Sequence, residues 1–262
     1  MHVESSVLDH VLAHRSLPES WVLDVAAGDG EPPTGSVLPA EDLMPRMADL
    51  RAELLTMVEP FRPADQAVWD ALFPDWSDLG GTLVLSAGWP APYDAGVRTM
   101  PDGRQAIVID VARLAEYPTD TAEQVTRQIL DHEVAHLAIA RTWQLPDDAD
   151  YAARLDHVVF DEGIGHYLGM RGHPAVSPSS ERFEQRRAVA LAELRAAREI
   201  GDPAEQHAAL DRAGADDDFW AKFGAVAGMF ACALAERDGG MDGLRDLVAP
   251  GWRGFTDRVL AG

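Results

Sequence analysis

Two histidines and a glutamate occur within five residues of a mostly apolar stretch. The segment QILDHEVAHLAIARTW spans residues 128–143 and holds His132, Glu133 and His136. On a helix, side chains four residues apart project from the same face, one turn apart. Two imidazoles at that separation can both reach one zinc ion, with nitrogen–metal distances of about 2.0–2.1 Å. Glu133 lies beside them, where its carboxylate can act as a general base on an activated water without binding the metal.

This HExxH pattern is scarce by chance. With nine histidines in 262 residues, random order gives roughly 0.02 matches in a chain of this composition. The alternative is a core helix whose histidines only form hydrogen bonds. The flanking residues are uncharged, as a buried metal-bearing helix requires: Ile129, Leu130, Val134, Ala135, Leu137 and Ala138. The motif therefore favours a metal site, provided that the chain supplies a third ligand.

A hydrolytic zinc site needs three protein ligands and one open position. The longer pattern HExxHxxGxxH is excluded, because its glycine and third histidine positions hold Ile139 and Thr142. We predict Glu162 as the third ligand, since Gly163 and Gly165 after it lower helix propensity and so indicate close packing, here expected against the HExxH helix. The segment RLDHVVFDEGIGHYLG also offers other candidates: Asp156, His157, Asp161 and His166.

The period of apolar residues predicts the elements that position these side chains. Residues 1–78 are expected to be mostly helical, with apolar positions three and four apart in 5–17 and 40–61. A loop rich in glycine and proline is predicted at 26–36. The period then changes to that of short strands.

Residues 81–88 are predicted to form a strand, and 96–100 and 104–111 a hairpin around a Pro-Asp-Gly turn. Helices are expected after this sheet: from Asp120 or Thr121 to about Trp143, from Tyr151 to Met170, from Glu181 to Ile200, and a buried helix over 219–240 stopped by paired glycines. This order of helices, a small sheet and then more helices predicts an α+β fold.

Composition limits the partners. The formal net charge is −22, and such a surface repels nucleic acid and anionic lipid, so neither is expected as a partner. Cys232 is the sole cysteine, which excludes an internal disulfide. We see no signal peptide and no apolar run of the roughly 18 residues that a spanning helix needs, so a cytoplasmic protein is expected.

HEVAH followed by DEGIGHYLG resembles the gluzincin class of zinc metallopeptidases, and the second segment is similar to the EGxAxY helix of their aminopeptidase-like branches. The likeness covers about Ala106 to Tyr167 and extends more weakly to Val248. It implies a small β-sheet packed on a mainly helical lobe, with the zinc between them. The zincin-like catalytic region is expected over 79–262, as one compact unit, after the N-terminal helical region over 1–78. The likeness also implies Zn²⁺ held by His132, His136 and Glu162, with Glu133 as the base and a peptide or protein as the substrate.

The sequence departs from that class in two places. No GxMEN motif is present, so a requirement for a free substrate N-terminus is not supported. Relatives often place a catalytic tyrosine near the start of the later helix, where this chain has aromatic residues without a hydroxyl: Phe219, Trp220 and Phe223. The oxyanion donor is therefore open between His166 and Tyr167.

Several alternatives stay open. Asp156 follows His136 after 19 intervening residues, a separation found in thermolysin-like sites. Asp131 and Asp161 could orient a ligand histidine through its second ring nitrogen. The hairpin strand that ends near Val111 could bind an extended peptide as an additional strand, although a strand in the interior of the sheet would have the same sequence pattern.

Two other functions compete with a peptidase. One is a zinc hydrolase that acts on a small amide, and the other is a non-catalytic binding protein on a degenerate zincin fold. An intact Glu133 argues against the second, because a purely structural metal site has no need of a base.

Overall fold

The computed structural model describes residues 1–24, 37–89, 94–215 and 218–262. The loop predicted at 26–36 therefore lies outside the described residues. The strands are β1 (His2–Glu4), β2 (Thr82–Ser86), β3 (Ala95–Thr99) and β4 (Gln105–Asp110). The helices are α1 (Ser6–His14), α2 (Trp21–Asp24), α3 (Met44–Val58), α4 (Gln66–Leu72), α5 (Val111–Glu116), α6 (Thr119–Thr142), α7 (Tyr151–Met170), α8 (Phe183–Arg198), α9 (Pro203–Gly214), α10 (Phe223–Val248) and α11 (Phe255–Ala261). The predicted α+β class is confirmed.

The four strands form one mixed sheet in the order β1-β2-β4-β3. The pairs β1–β2 and β2–β4 are parallel, and β3 pairs antiparallel with β4. The predicted hairpin is confirmed, and its turn contains Gly103 at a positive φ of 84°. The prediction that the strand ending near Val111 accepts an extra strand is wrong, because β4 is paired on both sides.

The described residues divide into two compact units, 1–64 with 77–137 and 65–76 with 138–262. These limits differ from the predicted division at residue 78. The reason lies in the sheet: β1, which the sequence did not predict, pairs with β2, and α1 packs on β2. The N-terminal segment thus belongs with the strands. None of the helices in the described ranges has the length and apolarity needed to cross a bilayer.

The core of the first unit lies around the parallel strands. Every residue of β2 is buried, and a cluster of apolar side chains packs around its centre: Val7, Val22, Leu23, Val84, Trp89, Ala106 and Val108. Asp110, at the end of β4, is fully buried and its side chain accepts hydrogen bonds from the amides of Trp89 and Arg113. One carboxylate thereby fixes the chain after β2 and the start of α5.

The helix that carries the motif starts at a proline. The carbonyl of Pro118 accepts hydrogen bonds from the amides of Thr121 and Ala122, both 3.0 Å long. A proline that precedes the first turn suits a helix start, because its missing N–H would have no partner there. The prediction of a helix to about Trp143 is confirmed by α6, which ends at Thr142.

The second unit is built around α7 and α10. α7 has the predicted limits, and its N-cap Asp150 accepts a 2.9 Å hydrogen bond from the amide of Ala153. A Cβ placed on Gly163 would lie 2.6 Å from the Cα of Gly228 in α10. The close approach that the sequence predicted at Gly163 therefore exists, but its partner is α10 rather than the HExxH helix.

The predicted stop of the later helix at paired glycines is only partly correct. Gly240 has φ 61° and ψ −150°, which interrupts α10, but helical structure resumes and continues to Val248. Glycine alone adopts such a backbone conformation without steric cost, so the break is placed by residue type.

Candidate metal centre

The two motif histidines converge at their outer nitrogens. His132 and His136 are both half-buried on α6. Their Nε2 atoms lie 2.9 Å apart, and their rings are nearly perpendicular, with centroids 4.6 Å apart. In neutral rings, one Nε2 donates a hydrogen bond to the other. The helix has thus directed two ring nitrogens into the same small volume, as the i, i+4 spacing predicted.

Glu162 completes a group that could hold a metal ion. His132, His136 and Glu162 each offer one ligand atom, and these atoms all lie within 4.8 Å of one another. Groups of three or more histidine, cysteine or acidic side chains with ligand atoms this close together were sought among the described residues, and this group was found. The alternative ligands on α7, Asp156, His157 and Asp161, are not part of it.

The donor set fits zinc. Two imidazole nitrogens and one carboxylate are ligands that Zn²⁺ accepts, and three protein ligands leave one position open for chemistry. Around a tetrahedral ion the two nitrogens would be about 3.3 Å apart, given zinc–nitrogen distances of about 2.0–2.1 Å. The observed 2.9 Å separation needs only a small opening to reach that value. All three side chains are partly exposed, which leaves room for an ion to enter.

Glu133 is more deeply placed than the two histidines beside it. The residue is 7 % exposed, whereas both histidines are half-buried. Burial of a carboxylate is costly in free energy unless polar groups surround it. A buried glutamate next to a pair of converging imidazoles is therefore more typical of a functional site than of a packing position.

Asp156, the main alternative ligand, has a different role. Its two carboxylate oxygens accept hydrogen bonds from the amides of Gly254, at 2.6 Å, and Thr256, at 3.0 Å. These amides stand at the start of α11, where backbone N–H groups lack partners within the helix. Asp156 therefore caps α11.

Asp131 also serves the backbone. It is 3 % exposed, and its Oδ2 accepts a 3.1 Å hydrogen bond from the amide of Ala64. This hydrogen bond connects the segment that follows α3 to helix α6. Its acceptor, Asp131, is the residue immediately before His132. The prediction that Asp131 orients a ligand histidine stays a prediction, as does the same role for Asp161.

Neighbouring side chains surround Glu162 within the second unit. His166 follows one turn later, with its Nε2 3.5 Å from Oε2 of Glu162. The His166 ring packs edge-on against Phe219, with centroids 5.0 Å apart. On another side, a Cβ placed on Gly214 would lie only 3.1 Å from the Cγ of Glu162. The side chain therefore has a confined position.

The two candidate oxyanion donors have different partners. The Tyr167 hydroxyl donates a 2.7 Å hydrogen bond to Glu236, and Arg171 pairs with the same carboxylate. Burial and the nearby Glu236 carboxylate raise the pKa of Tyr167 far above its usual value. Tyr167 is thus part of an ion-paired cluster inside the second unit, whereas His166 lies beside Glu162.

Sequence reasoning missed the residues that confine Glu162. Gly214 ends α9, a helix for which no prediction was made, and Phe219 was noted only as a missing tyrosine. Gly214 stands 52 positions after Glu162 and Phe219 stands 53 positions after His166, so no helical or strand period links them. The one feature of the sequence that could have indicated this contact is Gly214 itself, which follows an alanine-rich segment.

Comparisons of this chain with protein-family models, with curated proteins and with solved structures found no match.

Proposed function

We propose that this protein is a zinc-dependent metallopeptidase with a gluzincin-type architecture. The observation that carries the proposal is the convergence of one ligand atom from each of His132, His136 and Glu162, within 4.8 Å of one another, beside the buried Glu133. Two histidines one turn apart, a carboxylate from a later helix and an adjacent glutamate are the parts that hydrolysis by a zinc enzyme requires.

Each residue has a defined task in this proposal. His132 and His136 bind through Nε2 and must therefore be neutral, and Glu162 supplies a negative charge. Zinc, when bound, supplies a Lewis acid that polarises an amide carbonyl and acidifies a water molecule. Glu133 takes a proton from the attacking water and passes it to the leaving amine. His166 stands one turn after Glu162, where its ring can donate a hydrogen bond to the charge that develops on the carbonyl oxygen.

The decisive variant is Glu133→Gln. The amide has nearly the same shape as the carboxylate but cannot accept the proton, so hydrolysis should fall about 10²- to 10⁴-fold while zinc content is unchanged. Zinc is measured by elemental analysis of the purified protein, and hydrolysis with casein and a mixed peptide library. The matched control is Glu123→Gln on the same helix, because Glu123 is exposed and pairs with Arg127 at 3.6 Å.

The same experiment separates the competing functions. Zinc with cleavage of peptides, lost in Glu133→Gln but kept in Glu123→Gln, supports the peptidase. If the protein contains zinc and hydrolyses small amides but not casein or peptides, it is a small-amide hydrolase and not a peptidase. A protein that holds zinc and hydrolyses neither is a binding protein, and one that takes up no zinc ends the proposal.

A further inference from the structure

A groove separate from the candidate metal centre lies at the start of α8. An open groove of about 470 Å³ is lined by Arg182, Gln185, Arg186, Val189 and Trp220. None of these residues belongs to the candidate metal centre. Four of the five come from the residue before α8 and its first two turns, and Trp220 comes from the short 3₁₀ turn Phe219–Ala221.

Two arginines give the groove a positive charge. Arg182 and Arg186 are four residues apart and therefore lie on the same side of the chain. In the part of the chain that the structure describes, neither forms an ion pair. The next arginine along the helix behaves differently, since Arg187 pairs with Glu184 at 3.5 Å.

The environment of Arg186 is unfavourable for its positive charge. Partial burial and the neighbouring Arg182 lower the pKa of Arg186, and Asp218 acts in the opposite direction without cancelling them. Two like charges side by side are unfavourable, so an anion that contacts both would relieve the repulsion. Guanidinium groups suit carboxylates in particular, because their N–H groups can donate two parallel hydrogen bonds.

Arg186 is held in place by its surroundings. Its guanidinium carbon lies 3.4 Å from the centroid of a Trp220 ring, and its Nη1 donates to the carbonyl of Ala175 at 3.3 Å. Trp220 is itself supported by the Phe219 ring, with centroids 4.8 Å apart. A fixed cation loses little conformational entropy when a ligand binds.

The groove also presents apolar surface. Val189 is 58 % exposed, on a face of α8 where a large aliphatic side chain gains nothing from contact with water. Trp220 adds the edge of an indole. A partner that brings a carboxylate and a neighbouring aliphatic side chain would match both parts of the groove.

We propose that this groove binds an acidic peptide segment, with a glutamate or aspartate carboxylate on Arg182 and Arg186 and an adjacent aliphatic side chain on Val189 and Trp220. A nucleic acid is disfavoured, because a chain with a net charge of −22 repels an extended polyanion. A single carboxylate responds mainly to charges within a Debye length of about 8 Å at physiological salt. The site functions independently of metal at the candidate zinc centre.

The test uses the full chain without added metal and two capped tripeptides, Leu-Glu-Leu and Leu-Gln-Leu, measured by calorimetry and by NMR. We expect the glutamate peptide to bind at least tenfold more tightly than the glutamine peptide. The double variant Arg182→Gln with Arg186→Gln should abolish this preference. The matched control Arg187→Gln should keep it within about twofold, because that arginine is already paired.

Val189→Asp provides a second variant that does not depend on removing arginines. The side chain is exposed, so the fold is retained, and the new carboxylate should occupy the arginines and weaken peptide binding at least tenfold. Equal binding of the two peptides, or full binding by the double variant, would overturn the proposal. Inorganic phosphate that binds as tightly as the glutamate peptide and displaces it would also overturn it, in favour of a small-anion site. Because no zinc and no hydrolysis is involved, the result is independent of the proposed peptidase activity.

Discussion

The two halves of α7 each carry a carboxylate that the sequence offers as a zinc ligand, and the structure gives them different partners. In the first half, Asp156 is bound to the amides of Gly254 and Thr256. In the second half, Glu162 lies beside His166 and within reach of the two motif histidines. Residue type and spacing do not separate these carboxylates. What separates them is whether backbone amides already satisfy their oxygens, and those amides come about a hundred residues later.

The largest expected effect is on zinc affinity, and it tests the second half of α7. Glu162→Ala should lower zinc affinity by about 100-fold or more, because loss of a residue that only supports a ligand already costs 10–100-fold. Asp156→Asn should leave zinc affinity within about threefold of the wild type. Competition with a fluorescent chelator measures both. Equal losses in the two variants would remove the distinction between the halves.

The crossing of α7 with α10 lies near the middle of α7, and we expect it to have the largest effect on the stability of the protein. A Cβ on Gly228 would lie 2.2 Å from the carbonyl oxygen of Val159 and 2.8 Å from the Cα of Gly163. Backbone atoms cannot rotate away as a side chain can, so Gly228→Ala should destabilise the protein by about 3 kcal/mol. Urea unfolding gives this value. Gly239→Ala, in the same helix with no atom within 4 Å of the new Cβ, should be neutral or slightly stabilising.

The capping role of Asp156 predicts a smaller loss of stability. Asp156→Ala leaves the amides of Gly254 and Thr256 without their acceptor, which should cost about 2 kcal/mol. The control is Asp257→Ala in α11. The Asp257 side chain is 66 % exposed and forms an ion pair with Arg198, and such an exposed pair should contribute less than about 1 kcal/mol to stability. If the two variants unfold at the same urea concentration, Asp156 is not the cap that holds α11.

The smallest effect tests whether α9 confines Glu162. Gly214→Ala places a methyl group 3.1 Å from the Cγ of Glu162 and 3.4 Å from a methyl group of Val158. Glu162 must then shift by a few tenths of an ångström, and zinc affinity should fall about three- to tenfold with little change in stability. Gly201→Ala, where the new methyl group meets nothing within 4 Å, should leave zinc affinity unchanged. An unchanged affinity in Gly214→Ala would show that Glu162 has room to adjust.

Local signals predicted the helices of the candidate site well. A helix start at Asp120 or Thr121 was predicted for α6, and α7 was predicted from Tyr151 to Met170. The convergence of His132 and His136 could be expected from the i, i+4 spacing alone. The hairpin of β3 and β4 was also predictable, because its turn has a recognisable sequence.

Predictions failed where they depended on partners distant in sequence. Gly163 indicated a close helix contact but not which helix makes it, and Gly228 lies 65 residues later. β1 has three residues, too few to show an alternating pattern, and it is a strand because β2 pairs with it. For the same reason, the sequence predicted that β4 was a strand but not that it is interior to the sheet.

The contact between Gly163 and Gly228 has a consequence for related chains. Neither position can enlarge by itself, because the space between the two backbones is shared, and Glu162 is the residue next to one of them. In a set of diverged homologues, positions 163 and 228 should therefore covary. A larger residue at either position should be accompanied by a wider separation of α7 and α10.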